Sequence, residues 1–193
     1  MQDTEADRNL ARRAAAGDES AWRSLYDATA DRLFSLLAYQ VGDRDEALDL
    51  LQETFVRAWT HLGSYRGDAP LAQWLRRIAW HLAMDWKRSA LKRIKRSVEL
   101  HESTAWVGPD TGHVRFASER AALNRALAKL SGHQRAALLL REWDGLDYRE
   151  IAAILRCKES TVRVHHTRAR ERMQGLLGES GLPVAEGLKG QLS

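Results

Sequence analysis

One cysteine and three prolines are all that the 193 residues contain of either type. A lone thiol, Cys157, closes no internal disulfide and fits a reducing compartment, and so few ring-locked positions leave long helices uninterrupted. No run approaches the roughly 20 apolar residues that span a bilayer, which argues against membrane insertion. The opening residues, Met1-Gln2-Asp3-Thr4-Glu5-Ala6-Asp7, are acidic and have no apolar stretch. No secretory signal is therefore expected, and the cytoplasm is the expected location. Strand-like alternation and internal repeats are missing too.

Catalytic motifs are as scarce. There is no Gly-rich phosphate loop and no G-x-S-x-G. His81 and Asp85 stand four apart and offer two metal ligands, but no H-E-x-x-H partner or third ligand at a suitable spacing accompanies them. His165 and His166 are adjacent and point to different sides of a helix, a poor chelate. Cys157 has no second cysteine for zinc or redox work. The expectation is no catalytic residue, no metal, no cofactor and no enzyme.

Charge is plentiful and unevenly spread. The chain is 44% hydrophobic and 29% charged, which suits a globular fold. Its 30 Lys+Arg exceed 26 Asp+Glu, for a net +4 and a pI near 9.5, a mild pointer to a polyanionic partner. Between Asp43 and Glu53, five acids (Asp43, Asp45, Glu46, Asp49, Glu53) face Arg44 alone. Between Lys87 and Arg96, six cations (Lys87, Arg88, Lys92, Arg93, Lys95, Arg96) meet no acid. Opposite poles predict two kinds of partner.

Apolar periodicity and capping residues predict an all-α chain of two small helical domains joined by a flexible linker. Asp18 opens a helix through Trp22, Leu25, Tyr26, Leu33, Leu36 and Leu37, which Gly42 ends. Asp43-Arg44-Asp45-Glu46 resembles a capping box, and the helix after it is expected to bury Ala47, Leu51, Phe55, Ala58 and Leu62. After the loop Gly63-Ser64-Tyr65-Arg66-Gly67, Asp68 with Pro70 opens a helix burying Leu71, Trp74, Leu75, Ile78, Ala79 and Leu82. Three or four helices ending near Arg88 make the first unit, residues 1–90. Periodicity fades over 91–117, where Gly108-Pro109-Asp110-Thr111-Gly112 is a turn cluster, and this is the expected linker. The second unit, 118–177, holds a helix marked by Leu123, Leu127 and Leu130, then two capping boxes, Ser131-Gly132-His133-Gln134 and Asp147-Tyr148-Arg149-Glu150. Gly145 stops the helix between them, and the short helix through Ile151, Ala152, Ile154 and Leu155 follows. Arg156-Cys157-Lys158 leads to a last helix with a core stripe of Val162, His166, Ala169, Met173 and Leu176. Residues 178–193, with four glycines, are an expected mobile tail.

Three stripes carry functional expectations. On the last helix, Ser160, Arg163, Val164, Thr167, Arg168 and Glu171 lie opposite the core. A short capped helix, a tight turn and a basic longer helix make a helix-turn-helix, suited to the major groove of duplex DNA. Arg77, Trp80, His81, Met84 and Arg88 recur at helical spacing beside the basic run. Rings among cations suit single-stranded nucleic acid, and Tyr65 and Arg66 could add a pocket for an extruded base. The bland alternative is that Trp80 and Met84 pack against a neighbouring helix. The third stripe is acidic: Asp45, Asp49, Gln52 and Glu53, continued by Val56. A solvated face explains it, as does a protein-binding helix; DNA would be repelled.

In this order the motifs resemble the bacterial sigma factors of the extracytoplasmic-function type, over almost the whole chain up to Leu177. The stretches that carry the resemblance are Asp49-Leu50-Leu51-Gln52-Glu53-Thr54-Phe55-Val56-Arg57-Ala58-Trp59, Tyr65-Arg66-Gly67-Asp68 and Trp74-Leu75-Arg76-Arg77-Ile78-Ala79. Gly145-Leu146-Asp147-Tyr148-Arg149-Glu150-Ile151-Ala152 follows, then Thr161-Val162-Arg163 through Arg168-Ala169-Arg170. The resemblance implies that the first unit is region two and the second region four. It implies that Asp45, Asp49, Gln52, Glu53 and Val56 bind core RNA polymerase at the clamp coiled coil. Tyr65, Arg66, Arg77, Trp80, His81, Met84 and Arg88 would hold the melted downstream promoter element. Ser160, Thr161, Arg163, Val164, His165, Thr167 and Arg168 would read the upstream element as duplex, and an anti-sigma factor would control the chain.

Four positions depart from the family pattern. His81 stands where Asn is frequent. Val164 loses a hydroxyl and offers a methyl surface to thymine, and His165 replaces a permanent cation. His166 takes a core position that is normally apolar. Two other classes compete with the sigma reading: a stand-alone helix-turn-helix regulator with a palindromic site, and a metal-dependent hydrolase using His81 and Asp85. Neither accounts for the acidic and basic-aromatic stripes together.

Overall fold

The computed structural model describes residues 4–96 and 117–178. The turn cluster of the expected linker and residues 179–193 of the expected tail lie outside the described residues. The chain is all-α: eight α-helices and one 3-10 turn follow one another, with no strand among the described residues. It divides into two compact units, Met1–Leu37 with Asp45–Glu99, and Ala38–Arg44 with Leu100–Ser193.

The first unit holds α1 (Thr4–Ala15), α2 (Glu19–Val41) up to Leu37, α3 (Arg44–His61) from Asp45, the 3-10 turn Leu62–Ser64 and α4 (Leu71–Arg96). Gly17, at φ +89°, turns the chain between α1 and α2. Asp18 then caps α2: Oδ1 accepts from the Ser20 and Ala21 amides and the Ser20 hydroxyl, and Oδ2 accepts from Arg13. Those bonds, Ser20 and Arg13 foremost, hold its carboxyl well below the usual carboxylate range. Leu25, Leu33, Leu36 and Leu37 of α2, Ala47, Leu50, Leu51 and Ala58 of α3 and Leu71, Leu75, Ala79, Leu82 and Ala83 of α4 are buried and supply the apolar interior of this unit.

Several details differ from the periodicity reading. Sequence analysis gave no helix for α1. The start of α4 is not capped by Asp68: the Leu71 amide donates to Asp7 Oδ2 at 2.8 Å, a cap delivered by α1. The Pro70 carbonyl accepts the first helical bonds, from the Gln73 and Trp74 amides. Tyr26 is 47% exposed, and Phe55, Trp74 and Ile78 are half-buried. Leu50 and Thr54 take interior positions instead, the Thr54 hydroxyl being satisfied by the Leu50 carbonyl at 2.7 Å. Helix α4 also runs beyond Arg88 to Arg96, into the span where apolar periodicity fades.

The second unit holds α5 (Ala117–Ala128), α6 (Gly132–Glu142), α7 (Tyr148–Leu155) and α8 (Glu159–Gly178). Both capping boxes form with reciprocal bonds, Ser131 with Gln134 and Asp147 with Glu150. Gly145, at φ +67°, reverses the chain after α6, and Arg156, at φ +52°, takes the left-handed conformation that starts the turn into α8. Leu123, Leu127, Leu130, Leu138, Leu139, Ala169 and Met173 fill the core, with Leu177 buried where Leu176 was expected. Arg135 is 5% exposed. Its guanidinium donates to the Leu127, Ala128 and Leu130 carbonyls at 2.8, 3.2 and 3.1 Å, satisfying the open end of α5. Burial lowers its pKa to about 10, so it stays charged at neutral pH.

Candidate functional site

On α3 the acidic stripe faces out. Asp45, Asp49 and Gln52 are exposed, Glu53 is half-buried and Val56 is 52% exposed. Glu53 accepts from Arg57 Nε at 2.7 Å one turn along, which offsets part of its charge. Next to this stripe runs a feature the sequence reading did not assemble: a groove of about 890 Å³ between α2 and α3. Trp22 and Trp59 stack at 5.0 Å between centroids, and Tyr26 leans on Phe55 at 4.7 Å. Leu48 and Val56 extend the apolar floor, and Gln52 lies on its edge. Trp59 is 55% exposed, a large apolar area for a surface helix. The signal was present in sequence as aromatics near the start of α2 (Trp22, Tyr26) and toward the end of α3 (Phe55, Trp59), but only the pairing of the two helices brings them together.

The loop before α4 is held rather than loose. Gly67, at φ +74°, lies under the Arg8 side chain, where a Cβ would meet Arg8 Nε at 2.3 Å. Arg8 Nε also donates to the Arg66 carbonyl at 3.3 Å. Tyr65 is half-buried, donates its hydroxyl to the Ala69 carbonyl at 2.7 Å and sets its ring edge against Trp74. Burial, with the nearby Asp7 charge, pushes its phenol up to about 12. Arg66 is exposed.

Along α4, Arg77, His81 and Met84 are half-buried and Arg88 is exposed. Trp80 is not part of that face. At 2% exposure its ring belongs to the interior, so the expectation that it stacks on bases is corrected in favour of a core role. The reason is register: Trp80 lies four residues after Arg76 and three before Ala83, both buried, so it shares their inward side of the helix. His81 Nδ1 lies 2.7 Å from the Arg77 carbonyl, and Arg88 pairs with Asp85. His81 and Asp85 are thus engaged with their own helix rather than turned to a common ligand.

In the second unit, Ser160, Arg163, Val164, Thr167 and Arg168 are exposed on α8, and Thr161 and His165 are half-buried. Val162, His166, Ala169 and Met173 face inward. Arg163 accompanies Glu159 at 2.5 Å and lies 4.4 Å over the Tyr148 ring. The His165 ring tilts against His133 at 5.5 Å. Burial, then the Arg168 charge, lowers the His165 pKa below its ordinary 6.5. Burial raises the Cys157 thiol, which keeps it protonated and unreactive.

Comparison with known proteins falls on the same two units. Residues 25–93 match the family model for sigma-70 region 2, and residues 120–173 the model for sigma-70 region 4. The chain is 32% identical over 180 residues to the RNA polymerase sigma-H factor of Pseudomonas aeruginosa, covering 89% of this chain and 93% of that one. It is 33% identical over 180 residues to the ECF RNA polymerase sigma-E factor of Escherichia coli, covering 89% and 94%. Among solved structures it is similar to the sigma factor RpoE in complex with the anti-sigma factor NepR from Bartonella quintana. That likeness has TM-score 0.70 and 26% identity over 81% of this chain and 96% of that one. It is also similar to CnrH in complex with the cytosolic domain of CnrY, with TM-score 0.64 and 25% identity over 90% and 98%.

Proposed function

The chain belongs to the sigma-70 family, in its extracytoplasmic-function branch, and from that premise we propose that it binds core RNA polymerase and directs it to a set of promoters. The observation that carries this is the pairing, in order along one chain, of a region 2 match over α2–α4 with a region 4 match over the helix-turn-helix. The chain lends specificity to an enzyme and performs no catalysis itself; the cytoplasm, where polymerase works, is its place of action.

Residues 1–90 make the polymerase-binding and melting unit. Asp45, Asp49, Gln52, Glu53 and Val56 present charge and apolar surface to a basic, partly apolar helix of the polymerase, and the Trp22–Trp59 groove adds contact area beside them. Tyr65, Arg66, Arg77, His81, Met84 and Arg88 hold the opened downstream element, cations following phosphates and the Met84 and His81 side chains meeting bases. Residues 118–177 make the duplex-reading unit. Arg163 and Arg168 reach guanine edges or phosphates, Val164 offers apolar contact to a thymine methyl, and Ser160, Thr161, His165 and Thr167 complete the reading face. Residues 91–117 join the two. An anti-sigma protein holds the chain inactive, a reading supported by the similar sigma factor RpoE, which was captured in complex with the anti-sigma factor NepR.

Run-off transcription with purified core polymerase and a genomic promoter library tests the proposal. Addition of the chain is expected to yield transcripts from a discrete promoter set sharing an upstream and a downstream motif. Transcription indistinguishable from core polymerase alone overturns it.

A further inference from the structure

His166 occupies a position where the family pattern implies an apolar residue, and it is 5% exposed. A buried imidazole in a small helical unit is costly unless both nitrogens are satisfied. Here both are. Nε2 lies 2.9 Å from Glu142 Oε1 on α6, and Nδ1 lies 3.1 Å from the Tyr148 hydroxyl at the start of α7. A carboxylate only accepts, so Nε2 carries a proton toward Glu142, and Nδ1 pairs with the Tyr148 hydroxyl.

Tyr148 is in turn a platform. Its ring lies under two guanidiniums, Arg163 at 4.4 Å and Arg141 at 4.8 Å from the centroid. Arg141 is tied down on its far side by the Leu146 carbonyl at 2.9 Å. Arg163 is an exposed cation of the recognition helix, and its other partner is Glu159 on the same helix. The chain of contacts therefore runs from the half-buried Glu142 through the buried His166 and then Tyr148 to Arg163, linking three helices to the reading face.

We propose that His166 is a positioning residue for promoter discrimination: by fixing the Tyr148 ring from beneath, it sets the direction in which Arg163 meets the base edge. A leucine there would fill the space but leave the Tyr148 hydroxyl unheld and free to swing the ring, and Arg163 with it. This rests on the reading of α8 as the duplex-reading helix.

The test uses full-length chain with core polymerase and a library randomised across the upstream element, with occupancy read by sequencing. His166→Leu, Tyr148→Phe, Arg163→Ala and the double variant His166→Leu/Arg163→Ala are compared. Arg163→Ala should cost about tenfold in discrimination at one base position, the size of a good base contact. His166→Leu should cost roughly three- to fivefold at that same position and leave other positions unchanged, with the double variant no worse than Arg163→Ala. Tyr148→Phe keeps the ring and drops only the hydroxyl; it should reproduce the His166→Leu profile, which secures the test if His166→Leu fails to fold. Independent addition of the His166 and Arg163 effects overturns the inference, as does a uniform loss of occupancy at every position. An Arg163→Ala chain with unaltered base preference overturns the reading of α8 and the inference together. An Arg163 effect without a His166 or Tyr148 counterpart overturns the inference alone.

Discussion

The imidazole of His165 stands where it can sense pH at a DNA surface. In the free protein, burial and the Arg168 charge disfavour its protonated form. The stability tied to the neutral ring is complete above pH 6.5 and declines as pH falls from there toward the lowered folded value. Phosphates act in the opposite direction, because a bound polyanion favours the cation. Binding of the upstream element therefore takes up a proton, and affinity should rise as pH falls from 8 to 6, by at most about tenfold per pH unit for one site. His165→Arg should flatten that profile at constant ionic strength. Parallel pH profiles for parent and variant would show that the ring does not take part. Trp80 makes the opposite kind of prediction. Its ring is 2% exposed, so Trp80→Ala should cost about 3–5 kcal/mol in urea unfolding, with loss of every activity of the first unit in proportion. A melting defect at undiminished stability would return Trp80 to the DNA-binding face.

At the scale of helices, ends matter as much as stripes. The cap on α4 comes from Asp7, 64 residues before Leu71. Asp7→Ala should therefore destabilise the first unit by about 0.5–2 kcal/mol, measured by thermal or urea unfolding. The loss should be matched closely by Asp7→Leu, and Asp68→Ala should have little effect; the reverse order would place the cap on Asp68 after all. The contrast explains what was legible in the residues. Ser131 with Gln134 and Asp147 with Glu150 are caps closed within one turn, and both were readable. Asp7 with Leu71 is closed through tertiary structure, so nothing local announces it. The same holds for the groove: Trp22 and Tyr26 read as apolar positions of one helix and Trp59 belonged to no stripe, until α2 and α3 were paired. Helix α4 outran its expected end because apolar periodicity measures burial, whereas Lys- and Arg-rich sequence sustains a helix without it. Which face of α4 meets bases was the hardest to read, since Trp80 suited stacking and core equally well and only burial separates them.

For the molecule as a whole, the proposed division of labour sets two physically different demands on the polymerase-binding face. Acidic Asp49 and Glu53 attract a basic partner through a field that salt screens, over a Debye length of about 8 Å at physiological ionic strength. Trp59, Val56 and the groove beside them bind by excluding water, which salt does not weaken. The two contributions can be separated. Asp49→Lys with Glu53→Lys should reduce association with core polymerase at least tenfold at low salt, mainly through a slower on-rate, because reversed charges meet like charges. The deficit should shrink as salt is raised from about 0.05 to 0.5 M, a range over which screening shortens severalfold. Trp59→Ala should instead lower affinity by a factor that stays constant or grows over the same range, and act mainly on the off-rate. Glu53→Lys alone should act less than Asp49→Lys, because Glu53 already shares its charge with Arg57 at 2.7 Å. Surface plasmon resonance of the variants on immobilised core polymerase gives both rates at each salt. Association that survives the double reversal unchanged would mean that the acidic stripe is a solvated face and that polymerase is gripped elsewhere on the chain.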